Sequence, residues 1–215
     1  YLGDYYVKEI SPSVGYLADE TEHDLVCNYE GDLVAEVKRD CTSLEQVMKQ
    51  PFQIIKAANN GKTDADLLKG AGFTAYLESS LTKKADGNYE FASATPVVIG
   101  ENGATEMFTD EKGYACSIAL PYGTYIVRET TTPHNYTPVD DFTVRITENN
   151  PNQPQTWRVL LDDEFEAKLK IIKQDDETKK PVLQKNTEFK IYDLDHKKYV
   201  EQVTTYPTTV KHKSY

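Results

Sequence analysis

Three cysteines, two methionines and one tryptophan are all that 215 residues contain of those types. Cys27, Cys41 and Cys116 are far apart, odd in number and form no CxxC pair. That excludes a disulfide framework and leaves isolated thiols or one incidental bridge. The four histidines (His23, His134, His196 and His212) do not fall at metal-ligand spacing with cysteines or carboxylates. No apolar run is long enough to span a membrane, and no signal peptide opens the chain. Basic residues are in the minority, 24 against 35 acidic ones, for a net charge of −11. Nucleic-acid binding needs the opposite balance. No nucleophile–base pair, metal cluster or phosphate-binding loop is present, so neither an enzyme, a metal nor a cofactor is expected.

What is abundant is tyrosine, 15 residues of it, with threonine and valine in short runs. That composition favours strands. One stretch, Gly123-Thr124-Tyr125-Ile126-Val127-Arg128-Glu129, alternates cleanly. Tyr125, Val127 and Glu129 share one face, and Thr124, Ile126 and Arg128 share the other. The pattern Gly-x-Tyr-x-Val-basic-Glu also occurs at Gly3–Glu9, and in both copies a Tyr follows the Glu by seven residues (Tyr16, Tyr136) after an intervening Pro. A Glu in phase with Tyr and Val is directed into a core, which is costly unless it is neutral or paired.

A second motif repeats out of frame with the first. Phe52-Gln53-Ile54-Ile55-Lys56 matches Leu169-Lys170-Ile171-Ile172-Lys173 at a step of 117 residues, while the Glu copies lie 120 apart. Two landmarks with nearly one period indicate a repeat. The expected organisation is the tail of one unit over 1–32, a charged connector over 33–49, a complete unit over 50–165 and the head of a third over 166–215. The chain thus reads as an excerpt from a longer protein. Within the connector, Leu44–Met48 is either a helical turn or an extended arm.

Inside the complete unit, Asn59–Gly61, Ala85–Gly87, Glu101–Gly103 and Glu111–Gly113 are turn signals. They separate candidate strands over 72–78, 89–91, 106–109, 115–120, 123–130, 141–147 and 155–161, the spacing of an all-β sandwich. A short helical turn is expected near Leu81–Lys84, a hairpin turn at Leu120–Thr124, and a core position for Trp157. Asp64, Asp66, Asp140 and Asp141 lack the spaced loop of an EF-hand. Asn135-Tyr136-Thr137 has the form of a glycosylation sequon.

Three motifs together resemble the Cna B-type, or SpaA-type, domains of Gram-positive surface proteins and pilins. They are the first strand ending in Lys56, the stretch Leu67-Leu68-Lys69-Gly70-Ala71-Gly72-Phe73, and Leu120–Tyr125 continuing through Glu129, Pro133 and Tyr136. The resemblance implies tandem immunoglobulin-like β-sandwiches, the first and last incomplete. It also implies a self-formed isopeptide bond between a Lys on the first strand and an Asn or Asp on the last, promoted by a buried Glu.

Lys56 shares a face with Phe52 and Ile54, and Lys173 with Leu169 and Ile171. A one-residue register shift would put Lys170 in the place of Lys173. Burial favours a neutral amine and a protonated Glu, the forms such a reaction uses. For the acceptor, alternation favours Asp163, in phase with Trp157, Val159 and Leu161; the family's spacing favours Asp162, which is preferred, with Asp163 as the alternative. Asn is the family's usual acceptor; with Asp the leaving group is water. In the first unit Glu9 is the equivalent promoter and Asn28 the analogous acceptor, with its Lys outside the chain; Lys173 likewise has its partner outside. The plain alternatives stay open: Lys56 as a strand-end lysine reaching water, and Glu129 as one half of an ordinary ion pair.

The resemblance implies a structural stalk module of an adhesin or pilin-like protein, extracellular and attached to the cell wall. Its partners would be neighbouring domains and, through other domains, host extracellular matrix. The competing reading is a ligand-binding sandwich for host matrix protein or glycan, with Tyr122, His134 and Tyr136 as contact residues.

Overall fold

The computed structural model describes residues 1–60, 65–165, 171–182, 189–194 and 197–199. The described secondary structure is almost wholly β, as the composition predicts. In chain order the strands are β1 (Gly3–Val7), β2 (Tyr16–Leu17), β3 (His23–Cys27), β4 (Gln46–Val47), β5 (Lys49–Gln50) and β6 (Gln53–Asn59). Then come β7 (Gly72–Leu77), β8 (Thr82–Lys83), β9 (Tyr89–Glu90), β10 (Glu106–Phe108), β11 (Tyr114–Cys116) and β12 (Leu120–Pro121). The last are β13 (Gly123–Thr131), β14 (Phe142–Ile146), β15 (Arg158–Asp163), β16 (Tyr192–Asp193) and β17 (Lys198–Tyr199). Among the described residues no helix is long and apolar enough to cross a membrane.

The centre is a two-sheet sandwich. One sheet is antiparallel, in the order β10-β7-β13-β14; the other is β11-β6-β15, with β6 and β15 parallel. Alternation explains why they close on each other. Phe52, Ile54 and Lys56 face inward from the β6 side, and Tyr125, Val127 and Glu129 from β13, every one of them buried. Phe73, Ile99, Val144 and Ile146 fill the space between, all fully enclosed. Full burial of each such side chain contributes roughly 1.5–3 kcal/mol.

Contacts divide the chain after Phe165, into Tyr1–Phe165 and Glu166–Tyr215. In the first unit, the segment before the sandwich is held to it by short pairings. β2 pairs with β4 and β5 with β12, so Gln46–Gln50 is extended rather than helical. The hydrogen bonds from Met48 N to Gly15 O and from Tyr122 N to Met48 O complete the joint. In the second unit, Gln174 bridges Pro181 around a polar turn in which the Thr178 N–H and hydroxyl both donate to Asp175.

Three local expectations are corrected. The helical turn is a 3-10 turn at Glu78–Ser80, and Thr82–Lys83 is a strand. Leu120–Thr124 is no hairpin: β12 pairs with β5, whereas β13 pairs with β7 and β14, so Tyr122 is a bend between strands with different partners. Trp157 is not a core residue. It is 58% exposed and lies against Tyr114, ring centroids 6.1 Å apart.

Candidate functional site

Lys56, Glu129 and Asp162 meet inside the sandwich. Each comes from a different strand, and each side chain is 0% exposed. Lys56 Nζ donates to Glu129 Oε2 at 2.7 Å and to Asp162 Oδ1. The plain alternative of a lysine reaching water is therefore excluded.

Each residue is placed by its own strand. Lys56 sits in the middle of β6, where its N–H donates to Gly113 O at 2.7 Å and its carbonyl accepts from Leu68 N at 2.9 Å. Gly113 has φ +64, and a Cβ there would overlap the Lys56 carbonyl. Glycine alone permits both the turn and the close approach. Glu129 lies opposite Phe73 across β13–β7, immediately before a register shift between Glu129 and Thr131. Such bulges re-aim side chains. The Phe73 ring closes the site, its centroid 5.5 Å from Lys56 Nζ. Asp162 is carried by β15, whose parallel register sets Leu160 opposite Lys56 and Asp162 opposite Ala58.

The two residues named by the acceptor criteria lie on opposite faces of β15, and only Asp162 reaches Lys56. Arg158, Leu160 and Asp162 form the inward face of β15, while Trp157, Val159 and Leu161 face out with Asp163. Asp163 is exposed and accepts a hydrogen bond from Asn59 Nδ2 at 2.7 Å. Alternation of apolar residues pointed to Asp163 because the more hydrophobic face of this strand is the outer one.

One lysine cannot satisfy two buried carboxylates. Glu129 Oε2 accepts from both Lys56 and the Val139 N–H, the latter at 3.0 Å. Glu129 Oε1 and Asp162 Oδ2 have no partner. Burial is the largest influence on the Asp162 carboxyl and raises it; the hydrogen bond and charge of Lys56 oppose this, and the charge and hydrogen bond of Glu129 add to it. The result is a carboxyl pushed up to about 6. A proton on Asp162, the direction in which burial pushes it, leaves one ammonium against one carboxylate and so a neutral cluster, the arrangement a dry interior favours.

The other expected site residues do not assemble in this way. Glu9 is half-buried, and it accepts from Asp19 N at 2.6 Å. Asn28 is exposed and follows β3, which pairs with β1 as β14 pairs with β13. It is therefore the counterpart of a residue after β14, not of one on the last strand. A step of 117 residues instead carries Asp162 back to Glu45, an exposed residue that accepts from Ser13 Oγ at 3.2 Å. Applying the Ile-Ile-Lys period to the acceptor would have found it. Lys173 is half-buried, but Ile171, expected on its inward face, is 47% exposed, and residues 171–173 are not in a strand. Lys170, Leu169, Asp64, His196 and His212 lie outside the described residues. Of the ligand-contact candidates, Tyr122 packs at Gly15, Tyr136 is half-buried and bridges Glu164, and His134 is exposed. Cys27, Cys41 and Cys116 are unbridged. Among the described residues no group of histidine, cysteine or acidic side chains could hold a metal ion.

Residues 51–158, half of the chain, match the family model described as SpaA, prealbumin-like fold domain. Among solved structures, the Bacillus anthracis TIE protein is 26% identical at a TM-score of 0.48; the match covers 76% of this chain and 25% of that one. A streptococcal ancillary pilin is 22% identical at a TM-score of 0.37, with coverages of 76% and 42%. The minor pilin GBS52 of Streptococcus agalactiae is 15% identical at a TM-score of 0.44, with coverages of 80% and 64%. The chain thus spans a quarter of the first of these and under half of the second. No curated protein matches. The extent of the family match, falling on the sandwich that encloses Lys56 and Glu129, identifies this chain as a member of the SpaA family of prealbumin-like domains.

Proposed function

We propose that the sandwich is a structural stalk module of a pilin-like protein on the surface of a Gram-positive cell, closed by an amide bond between Lys56 and Asp162. The observation that carries this reading is the fully buried contact of one amine with two carboxyls, on the first and last strands and on the strand between.

The chemistry balances within the site. With Asp162 protonated, the cluster holds a charged amine, one carboxylate and one carboxylic acid. Passing a proton from Lys56 to the carboxylate gives a neutral amine and two carboxylic acids at no change in net charge. Nζ then attacks Cγ of Asp162, the N–C bond forms, and the C–OH bond breaks. Glu129 protonates the departing hydroxyl through one oxygen and takes the amine proton through the other, so that water leaves and Glu129 is regenerated. The event happens once per molecule, without turnover.

Function follows from where the bond lies. β6 and β15 are neighbouring parallel strands, and a pull on the two ends of the sandwich loads them in shear. Hydrogen bonds yield to such a load; an amide does not. Lys56 and Asp162 are 106 positions apart. Closing a loop of ~100 residues restrains the unfolded chain by about 4–5 kcal/mol in the chain-entropy model. Attachment to the cell wall and contacts with host matrix would fall to other domains of the protein.

The test is the intact mass of the purified chain, followed by peptide mapping. The expected result is a deficit of one water, located in a branched peptide joining Lys56 to Asp162. Full mass in folded protein would reject the bond and leave an uncrosslinked module.

A further inference from the structure

The loop from Pro133 to Val139 touches one member of the buried cluster and the backbone of the residue beside another. At one end the Val139 N–H donates to Glu129 Oε2. In its middle, Thr137 makes two hydrogen bonds to a single acceptor, the carbonyl of Asp163: from its N–H at 2.9 Å and from its hydroxyl at 3.2 Å. Tyr136 bridges Glu164, and Phe165 N donates to Asn135 O at 2.7 Å. Asp163 is the residue next to Asp162. The loop thus holds the end of β15 on the side away from β6.

That end needs holding. β15 is the outer strand of its three-stranded sheet, and its pairing with β6 stops at Asp163. The last residues of an edge strand fray, and fraying here would draw Asp162 off Lys56. The same loop occurs in the first copy of the motif. Asp19 N donates to Glu9 Oε2, ten residues on from the Glu, as Val139 does to Glu129. Met48 N donates to Gly15 O as Phe165 N does to Asn135 O, and Tyr16 pairs with Val47 as Tyr136 bridges Glu164. Even the left-handed backbone recurs, at Gly15 with φ 88 and Asn135 with φ 71. One difference stands out: the place of Thr137 is taken by Leu17, which has no hydroxyl.

From this we infer that the 133–139 loop is a strap that sets the acceptor against the amine, and that the Thr137 hydroxyl is a positioning residue for bond formation. The inference rests on the bond-forming reading above. It also gives the sequon-like Asn135-Tyr136-Thr137 a structural meaning: Asn tolerates the left-handed turn, and Thr supplies the second donor.

The experiment follows water loss by intact mass after cell-free synthesis of the whole chain, with samples quenched at intervals. T137V, which keeps shape and loses the donor, should slow the loss roughly fivefold, the effect of one hydrogen bond on a rate. T137S should restore the wild-type rate. A parallel pair, E129A and E129A/T137V, forms no bond, and its two melting temperatures should differ by no more than a few degrees, the worth of one hydrogen bond. T137V reacting as fast as wild type would overturn the positioning role. So would equal slowing in T137V and T137S, or a slowing matched by a large loss of melting temperature in the E129A pair. If the wild-type chain itself never loses water, the bond-forming reading is what fails, and the positioning role falls with it.

Discussion

β1 and β13 share a sequence pattern and a local geometry, yet only one of them carries a buried acid. Both start at glycine, both pair antiparallel with the next long strand, and both end near a Glu that accepts from an N–H ten residues later. Tyr125 is 3% exposed and Val127 0%, whereas Tyr5 and Val7 are each 46% exposed. The difference lies in what covers them. β13 has neighbours on both edges and a second sheet across its face; among the described residues β1 pairs only with β3. Local sequence therefore sets strand, turn and acceptor bond. Packing sets the dielectric around the carboxyl, and with it the available chemistry.

The sharpest way to break this comparison is to remove each Glu in turn. Glu129→Ala should restore the full mass and lower stability by about 4–5 kcal/mol through loss of the crosslink. Glu9→Ala should leave the mass unchanged and cost about 0.5–1.5 kcal/mol, the worth of one hydrogen bond. Chemical denaturation with mass analysis reads both. Equal effects from the two substitutions would erase the distinction drawn here.

pH sharpens the comparison further. In Lys56→Met, where no bond can form and the two opposing influences of Lys56 are gone, burial and Glu129 both raise Asp162 above its ordinary 3.8. The folded state then binds a proton that the unfolded state has released. Stability from this group is complete below about 3.8 and is lost as pH rises through the folded-state value, about 6 in the intact cluster. A fall of about 1–3 kcal/mol across that window is expected from denaturant titrations at successive pH values. In the wild-type chain bond formation should slow over the same rise, because the cluster loses the proton that the leaving water needs. Substituting the half-buried Glu9 should leave both pH profiles in place.

The two left-handed turns extend the comparison, and the smallest expected effect, that of Asn135→Gly, lies there. Gly15→Ala puts a Cβ at φ 88 and into the Tyr122 ring, and should cost about 1–2 kcal/mol. Asn135→Gly, at φ 71, should change stability by only a few tenths of a kcal/mol. Thermal melts of the two variants distinguish a turn packed under an aromatic ring from one that is not.

Much of the site was legible because alternation is a local property. A strand's pleat places Lys56 with Phe52 and Ile54, and Glu129 with Tyr125 and Val127, whatever surrounds it. The recurrence of the Glu motif at β1 was legible for the same reason: both copies carry the same left-handed turn and the same acceptor bond. The failures share a cause. Trp157, Val159 and Leu161 promised an inward face, but β15 lies at an edge and turns them outward. Asn28 follows a strand that looks terminal along the chain and is the partner of β1 in space.

The amino-acid order thus settled which face of β6 carries an amine, which face of β13 carries an acid, and where the turns at 85–87, 101–103 and 111–113 fall. Those outcomes depend on backbone geometry over a few residues. Only the folded sandwich set Asp162, and not Asp163, against Lys56. That placement required β15 to lie parallel beside β6 in one register, and pairing between strands a hundred residues apart is decided by the packing of the whole core.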